Sequence, residues 1–292
     1  MIPAGRTFFK MSGSGNDFVM VDAREEAPGR LSDPAVVQRV CARGTGVGAD
    51  GIVFLCGSDS ATIQLIYLNA DGSRAEFCGN ATLCTTRLAV ELGIGSADGL
   101  TIETDSGVVS ARMRDGRPEI DLPGVTDVRP TAAQLDLQFG ERRIGFAEVG
   151  VPHLVIECDD ISTVDVVGRG RPLRHHQTLP KGANVNFVSR QPAGGARSAR
   201  SAPSERGERS DRGGWRMRTY ERGVEAETLA CGSGSVATAI LLNEWGLADP
   251  TVELETSSGE PLVIRLARDG SMWIPSLSGE GRVVYQATLS EI

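Results

Sequence analysis

Lysine is almost missing: the 292 residues contain two, Lys10 and Lys181, against 28 arginines. An enzyme that carries its substrate as a Schiff base on pyridoxal phosphate needs a lysine, so that chemistry has two candidates at most. Histidine is nearly as scarce, with His153, His175 and His176 alone. Neither a Cys-x-x-Cys pair nor an HExxH motif occurs, which leaves zinc, or any metal, poorly supported. No stretch approaches the roughly 20 apolar residues of a membrane span. The opening MIPAGRTFFKMSG is broken by Arg6 and Lys10 and lacks the apolar core of a secretory signal. A net charge of −8 argues against nucleic acid as a partner, which takes a basic surface. Six cysteines at irregular spacing (41, 56, 78, 84, 158 and 231) in a chain without such a signal read as reduced thiols in a cytoplasm.

What is present repeats once. Residues 76–93, EFCGNATLCTTRLAVELG, return as LACGSGSVATAILLNEWG at 229–246, with the two cysteines 153 residues apart. ETDSG at 103–107 returns as ETSSG at 255–259, an offset of 152. Two signals at nearly one offset point to two similar halves. In the first unit Leu83, Cys84, Leu88, Ala89 and Leu92 share a helical face that Gly93 closes; in the second Val236, Ala237, Ile240, Leu241 and Trp245 do so before Gly246. A further helix is expected over about 33–43, with Ser32 or Asp33 as cap and Pro34 in its first turn. Strands are expected at 18–21, 52–55, 62–68, 108–113, 154–157, 185–188, 215–220 and 262–266. The class is α/β (α+β): two small mixed sheets, each packing one long helix. The halves are expected at 1–122, with a return of 279–292, and 123–278. Residues 191–214 hold no apolar side chain other than alanine and proline and are expected to form a disordered loop.

Each of Cys78 and Cys231 stands where a helix begins. Four backbone N–H groups there lack intrahelical partners, and the positive end of the helix dipole favours an anion, so a thiol at that place tends toward thiolate. The Gly-Asn and Gly-Ser that follow let backbone N–H groups approach an anionic ligand. A carboxylate held between two such helix starts would place its α-carbon between two sulfurs. One thiolate could take the α-proton while the opposite thiol supplies one to the other face, with the helix N-termini facing the charge that develops.

The sequence resembles the diaminopimelate epimerase family, cofactor-independent two-cysteine enzymes of lysine and cell-wall precursor synthesis. The likeness runs through FFKMSGSGNDFVMVDA at 7–23, GTGVGADGI at 44–52, NADGSRAEFCGN at 69–80, GVPHLVI at 150–156, GANVNFV at 182–188 and TYERGVEAETLACGSG at 219–234. The resemblance implies that Cys78 and Cys231 are the acid–base pair and that no cofactor is used. It implies that Gly79, Asn80, Gly232 and Ser233 hold the reacting carboxylate through backbone N–H groups. Asn16 resembles the asparagine near the reacting centre. Asn69, Asn184, Glu221 and Arg222 resemble the positions that fix the far end of a small amino-acid substrate, and His153 and Glu221 the groups that assist the thiols. The implied architecture is two pseudo-symmetric halves with the site in the cleft between them, and the implied assembly a homodimer.

Each position also has a structural reading. Asn16 and Asn69 suit turns, Asn184 a strand start, Arg222 an ion pair, Glu221 a surface, and His153 a buried hydrogen-bonded ring. The remaining cysteines lie in apolar patterns and read as core. Three departures from the family pattern bear on substrate identity rather than on the thiols. Val151 stands where many members have Asn. Ala81 and Leu83 replace the common Gly and Arg. The run Gly223–Glu227 is one residue longer than usual. A related epimerase or racemase with another amino-acid substrate is therefore the main rival. A Cys78–Cys231 redox switch, a carboxylate-binding protein without catalysis and a Cys231–His153 peptidase are lesser ones.

Overall fold

The computed structural model describes residues 5–191 and 214–289. The loop expected over 191–214 lies, apart from its two end residues, outside the described residues. The chain forms two compact units, Met1–Leu122 with Pro275–Ile292, and Pro123–Ile274. The first contains β1 (Thr7–Gly13), β2 (Asn16–Asp22), α1 (Pro34–Cys41), β3 (Gly51–Cys56), β4 (Ile63–Asn69), β5 (Arg74–Ala75), α2 (Gly79–Glu91), β6 (Leu100–Thr104), β7 (Gly107–Arg114) and β8 (Arg117–Asp121). The second contains β9 (Val128–Arg129), β10 (Glu141–Val149), β11 (Val151–Cys158), α3 (Val166–Arg174), β12 (Asn184–Arg190), β13 (Trp215–Glu221), β14 (Ala226–Thr228), α4 (Gly232–Glu244), β15 (Thr251–Glu255) and β16 (Pro261–Asp269). β17 (Met272–Ser278) leads back to the first unit, where β18 (Arg282–Thr288) ends the described chain.

The two units share one wiring. In the first, β1–β2, β3–β4, β4–β5 and β6–β7 pair antiparallel, while β2–β3 and β4–β6 pair parallel. In the second, β10–β11, β12–β13, β13–β14 and β15–β16 pair antiparallel, while β11–β12 and β13–β15 pair parallel. The class is mixed α/β and dominated by sheet, and each of the eight strands read from the sequence falls on an observed strand. Among the described residues, no helix is long and apolar enough to cross a membrane.

The central strands are buried on both faces, so their sequences run apolar rather than alternating. Val19, Val21, Ile52 and Phe54 pack with Val36, Val37 and Val40 of α1. Asn16, Phe18, Met20 and Val53 point to the opposite face by strand alternation, the side of α2. The second unit repeats the layering: Leu154, Ile156, Val185 and Phe187 pack with Val166 and Leu173 of α3. His153, Asn184 and Asn186 therefore turn to the other face, toward α4, which packs on β10, β11, β12 and β16.

α2 and α4 end alike. Gly93 and Gly246 both take φ 68°, a left-handed value that a side chain would oppose. Ile94 N–H bonds Ala89 O and Gly93 N–H bonds Val90 O; Leu247 N–H bonds Leu242 O and Gly246 N–H bonds Asn243 O. Both helices thus close in the same Schellman motif. The start of α1 differs from expectation. Asp33 occupies its N-cap position without a side-chain hydrogen bond; its carboxylate lies 3.7 Å from Arg30 Nε, and the first helical N–H groups bond the Asp33 carbonyl. Ser32 donates instead to the Gly29 carbonyl, and the helix stops at Cys41 because Ala42 is extended.

Candidate active site

Cys78 and Cys231 are the N-cap residues of α2 and α4, with extended backbones at φ/ψ −143°/112° and −136°/109°. Each carbonyl is claimed twice by the residue four positions on. Thr82 N–H and Oγ1 bond Cys78 O, both at 2.9 Å, and Ser235 N–H and Oγ bond Cys231 O, both at 2.9 Å. The hydroxyl at the fourth position fixes the carbonyl, and the preceding N–H groups, those of Gly79–Asn80 and Gly232–Ser233, lie outside the helical ladder as the first of any helix do. Cys231 is buried and lies 3.6 Å from Ser233 Oγ; Cys78 is half-buried. Burial raises Cys41 to about 11 and Cys158 to about 12, and lifts Cys56 and Cys84 as well, so they stay protonated and inert.

In the first unit Asn80 Nδ2 donates to Asn16 Oδ1 at 2.7 Å, and Asn16 Nδ2 donates to Asp50 Oδ2 at 3.0 Å. Asp50 also accepts from Asp17 N–H at 3.2 Å and from Arg43 at 2.7 Å. Burial alone would raise Asp17, but hydrogen bonds from Arg43 and Lys10 hold it down to about 2. Asn80 is buried, and its Oδ1 has no partner among the described residues. Asn69 ends β4 and donates to Ser73 Oγ at 3.0 Å within the turn that follows.

In the second unit Asn184 Oδ1 accepts from Arg222 N–H at 2.7 Å, and the Arg222 guanidinium bonds the Lys181 carbonyl at 3.3 Å. His153 lies beside Asn184 in strand register and is fully buried. Burial, and secondly the nearby Arg222 charge, push it down to about 3, so the ring is neutral. Burial lifts the Glu221 carboxyl above its ordinary range. The strand registers place Asn69 and Glu221 at equivalent positions of the two units. Within the 223–227 run Glu225 takes φ 57°. Its carboxylate accepts from Gly223 N–H at 3.1 Å and Arg174 at 3.2 Å.

Sequence reasoning missed Asp50 and Asn186. Asp50 orients Asn16 across 34 residues, a pairing no local pattern announces. Asn186 accepts from Thr219 at 2.9 Å and donates to the Leu154 carbonyl at 3.0 Å. Its one sequence signal is a place two residues from Asn184, on the same face of β12.

A family model for diaminopimelate epimerase matches residues 8–123 and 145–284. The chain belongs to the diaminopimelate epimerase family. Among relatives, it is 44% identical to a diaminopimelate epimerase of Gemmatimonas aurantiaca, over 97% of this chain and 99% of that one. It is 37% identical to one of Aquifex aeolicus, over 97% and 98%. The fold is shared more widely. A phenazine biosynthesis protein of the PhzF family from Bacillus anthracis aligns with TM-score 0.68 at 14% identity, covering 98% of this chain and 99% of that one. A hydroxyproline epimerase from Agrobacterium vitis aligns with TM-score 0.65 at 17% identity, covering 99% and 94%. Membership of this isomerase family agrees with the resemblance carried by the sequence motifs.

Proposed function

We propose that the protein interconverts L,L- and meso-diaminopimelate by proton transfer between one α-carbon and the thiols of Cys78 and Cys231. The observation that carries this reading is the duplicated cysteine N-cap, the same backbone angles and the same doubly claimed carbonyl occurring once in each unit. One sulfur, as thiolate, removes the α-proton, and the electron pair left on carbon delocalises into the carboxylate. The N–H groups of Gly79–Asn80 and Gly232–Ser233 face that charge, where preorganised donors act most strongly. The second thiol delivers its proton to the opposite face, and the pair ends with its protonation exchanged. His153 and Glu221 assist the sulfurs, Asn16 lies at the reacting end, and Asn69, Asn184 and Arg222 hold the far end. A guanidinium fork suits a distal carboxylate. The reading includes a cytoplasmic location, a homodimer and no partner other than the amino acid.

Purified reduced enzyme with no added cofactor is expected to exchange the α-hydrogen of diaminopimelate with deuterated water. Loss of that exchange in neither Cys78→Ala nor Cys231→Ala would remove the thiol mechanism. One observation favours a second reading. Val151 shares a strand face with His153 and presents an apolar side chain where many family members have Asn. Deuterium uptake into histidine or proline, rather than diaminopimelate, would support a related epimerase with another substrate.

A further inference from the structure

A buried polar trio lies under the first turn of α4. Asn186 and His153 are fully buried and Thr219 nearly so. Asn186 Nδ2 donates to Leu154 O at 3.0 Å and lies 3.3 Å from His153 Nδ1, while Asn186 Oδ1 accepts from Thr219 Oγ1. A carbonyl only accepts, so the amide atom facing Leu154 O is the nitrogen. Its second N–H is then directed at Nδ1, which accepts, and the proton of the neutral ring resides on Nε2. Nε2 is buried and has no partner among the described residues.

The duplicated fold shows that this trio is no packing requirement. Strand registers equate Phe18 with His153, Val53 with Asn186 and Tyr67 with Thr219. In the first unit the layer is built from rings and an aliphatic group, with Phe18 and Tyr67 edge-to-face at 5.7 Å. The second unit buries an imidazole, an amide and a hydroxyl in the same places, which is unfavourable unless each group is paired. An Nε2–H left over from an otherwise satisfied network is a donor held ready for a ligand.

We infer that Asn186 is a positioning residue that locks His153 as the Nε2–H tautomer, so that His153 serves the reaction as a hydrogen-bond donor and not as a proton acceptor. The functional half of this rests on the reading of His153 as a partner of the thiols. A neutral N–H steadies a thiolate or a developing carboxylate charge. It cannot receive a thiol proton at a nitrogen that already carries one. Asn186 itself is sealed from solvent and touches no substrate.

Histidine-selective 15N labelling of the full chain, with tautomers read from long-range 1H–15N correlation at neutral pH, tests the assignment. The His153 signals are those missing from His153→Gln. The wild type is expected to show protonated Nε2 and unprotonated Nδ1. Asn186→Asp, which turns the donor into an acceptor, should move the proton to Nδ1. Asn186→Ala should give a mixture, and Asn186→Asp should lower kcat by about 10-fold or more with KM little changed. A wild-type ring with its proton on Nδ1, or Asn186→Asp and Asn186→Ala rings that keep it on Nε2, would overturn the inference. The wild-type spectrum decides even where a variant fails to fold. Full epimerase activity in His153→Gln would instead overturn the functional reading while leaving the tautomer standing.

Discussion

Replacing Gly234 by alanine adds one methyl group where the fold has no room for it. A Cβ built on Gly234 lies 2.4 Å from Asn186 Oδ1 and 3.2 Å from Cys231 Sγ, the first about 1 Å inside ordinary contact. Asn186 cannot step aside freely, because it bonds Thr219, Leu154 O and His153. Over-packing a filled core costs about 1–3 kcal/mol, and each neutral hydrogen bond lost adds about 0.5–1.5 kcal/mol. Alanine's helix preference over glycine returns at most about 1 kcal/mol. The net expectation is a loss of about 1–3 kcal/mol, or a fall in Tm of about 2–10 °C for a protein of this size. Urea denaturation and a thermal melt read the loss, and epimerase turnover should fall with it, since the strain reaches both Cys231 and His153. Asn186→Ala should relieve the clash, so Gly234→Ala in that background should lose little further stability. A Gly234→Ala protein within about 0.5 kcal/mol of wild type would refute the packing argument.

Cys78→Ala and Cys231→Ala should each lower turnover by about 10²–10⁴-fold, the range of a lost general acid or base, in a coupled assay of meso-diaminopimelate formation. Asp50→Ala removes the acceptor for Asn16 Nδ2 and Asp17 N–H; kcat/KM should fall about 10–100-fold, measured by initial rates, with the fold intact by circular dichroism. His153 is held at about 3 in the folded chain against 6.5 for a free ring. The unfolded chain therefore binds a proton that the folded one refuses, and stability falls as pH drops from 6.5 toward 3. Urea titrations across that window should show a flatter slope for His153→Gln. Glu221 has the opposite sense: its raised carboxyl makes stability decline as pH rises from 4.5 through the elevated value, and Glu221→Gln should lessen that decline.

Much of this was legible in the sequence because the motifs carry their own local physics. The Cys-Gly starts of α2 and α4, their closing glycines and the apolar runs of β3, β11 and β12 need no tertiary information to be recognised. α3 was not legible: VVGRGRPLR contains two glycines and a proline. It is held as a helix by the Asp165 cap on Gly168 and by Val166 and Leu173 in the core, which only the folded chain supplies. β1, β6, β10, β15, β17 and β18 were likewise unread as strands, since their sides are defined by partners distant in sequence, although a return of 279–292 to the first half was expected. At the site, the family motifs marked Asn16, Asn80, Asn184, Arg222 and His153 but were silent on what holds them. Asp50, Arg43 and Asn186 act across the sheet, where sequence spacing has no meaning.

The central claim is that two sulfurs work as an acid and a base on one carbon. The most direct measurement follows L,L-diaminopimelate and wild-type enzyme in deuterated water to a few per cent conversion, with label located by NMR and mass spectrometry in substrate and product separately. Deuterium at the inverted α-carbon of the meso product, with almost none in recovered substrate, is the result expected when one thiol keeps the proton taken and the other gives a solvent-derived one. Label appearing equally in recovered substrate and product, or product formed with the original hydrogen retained, would contradict the account.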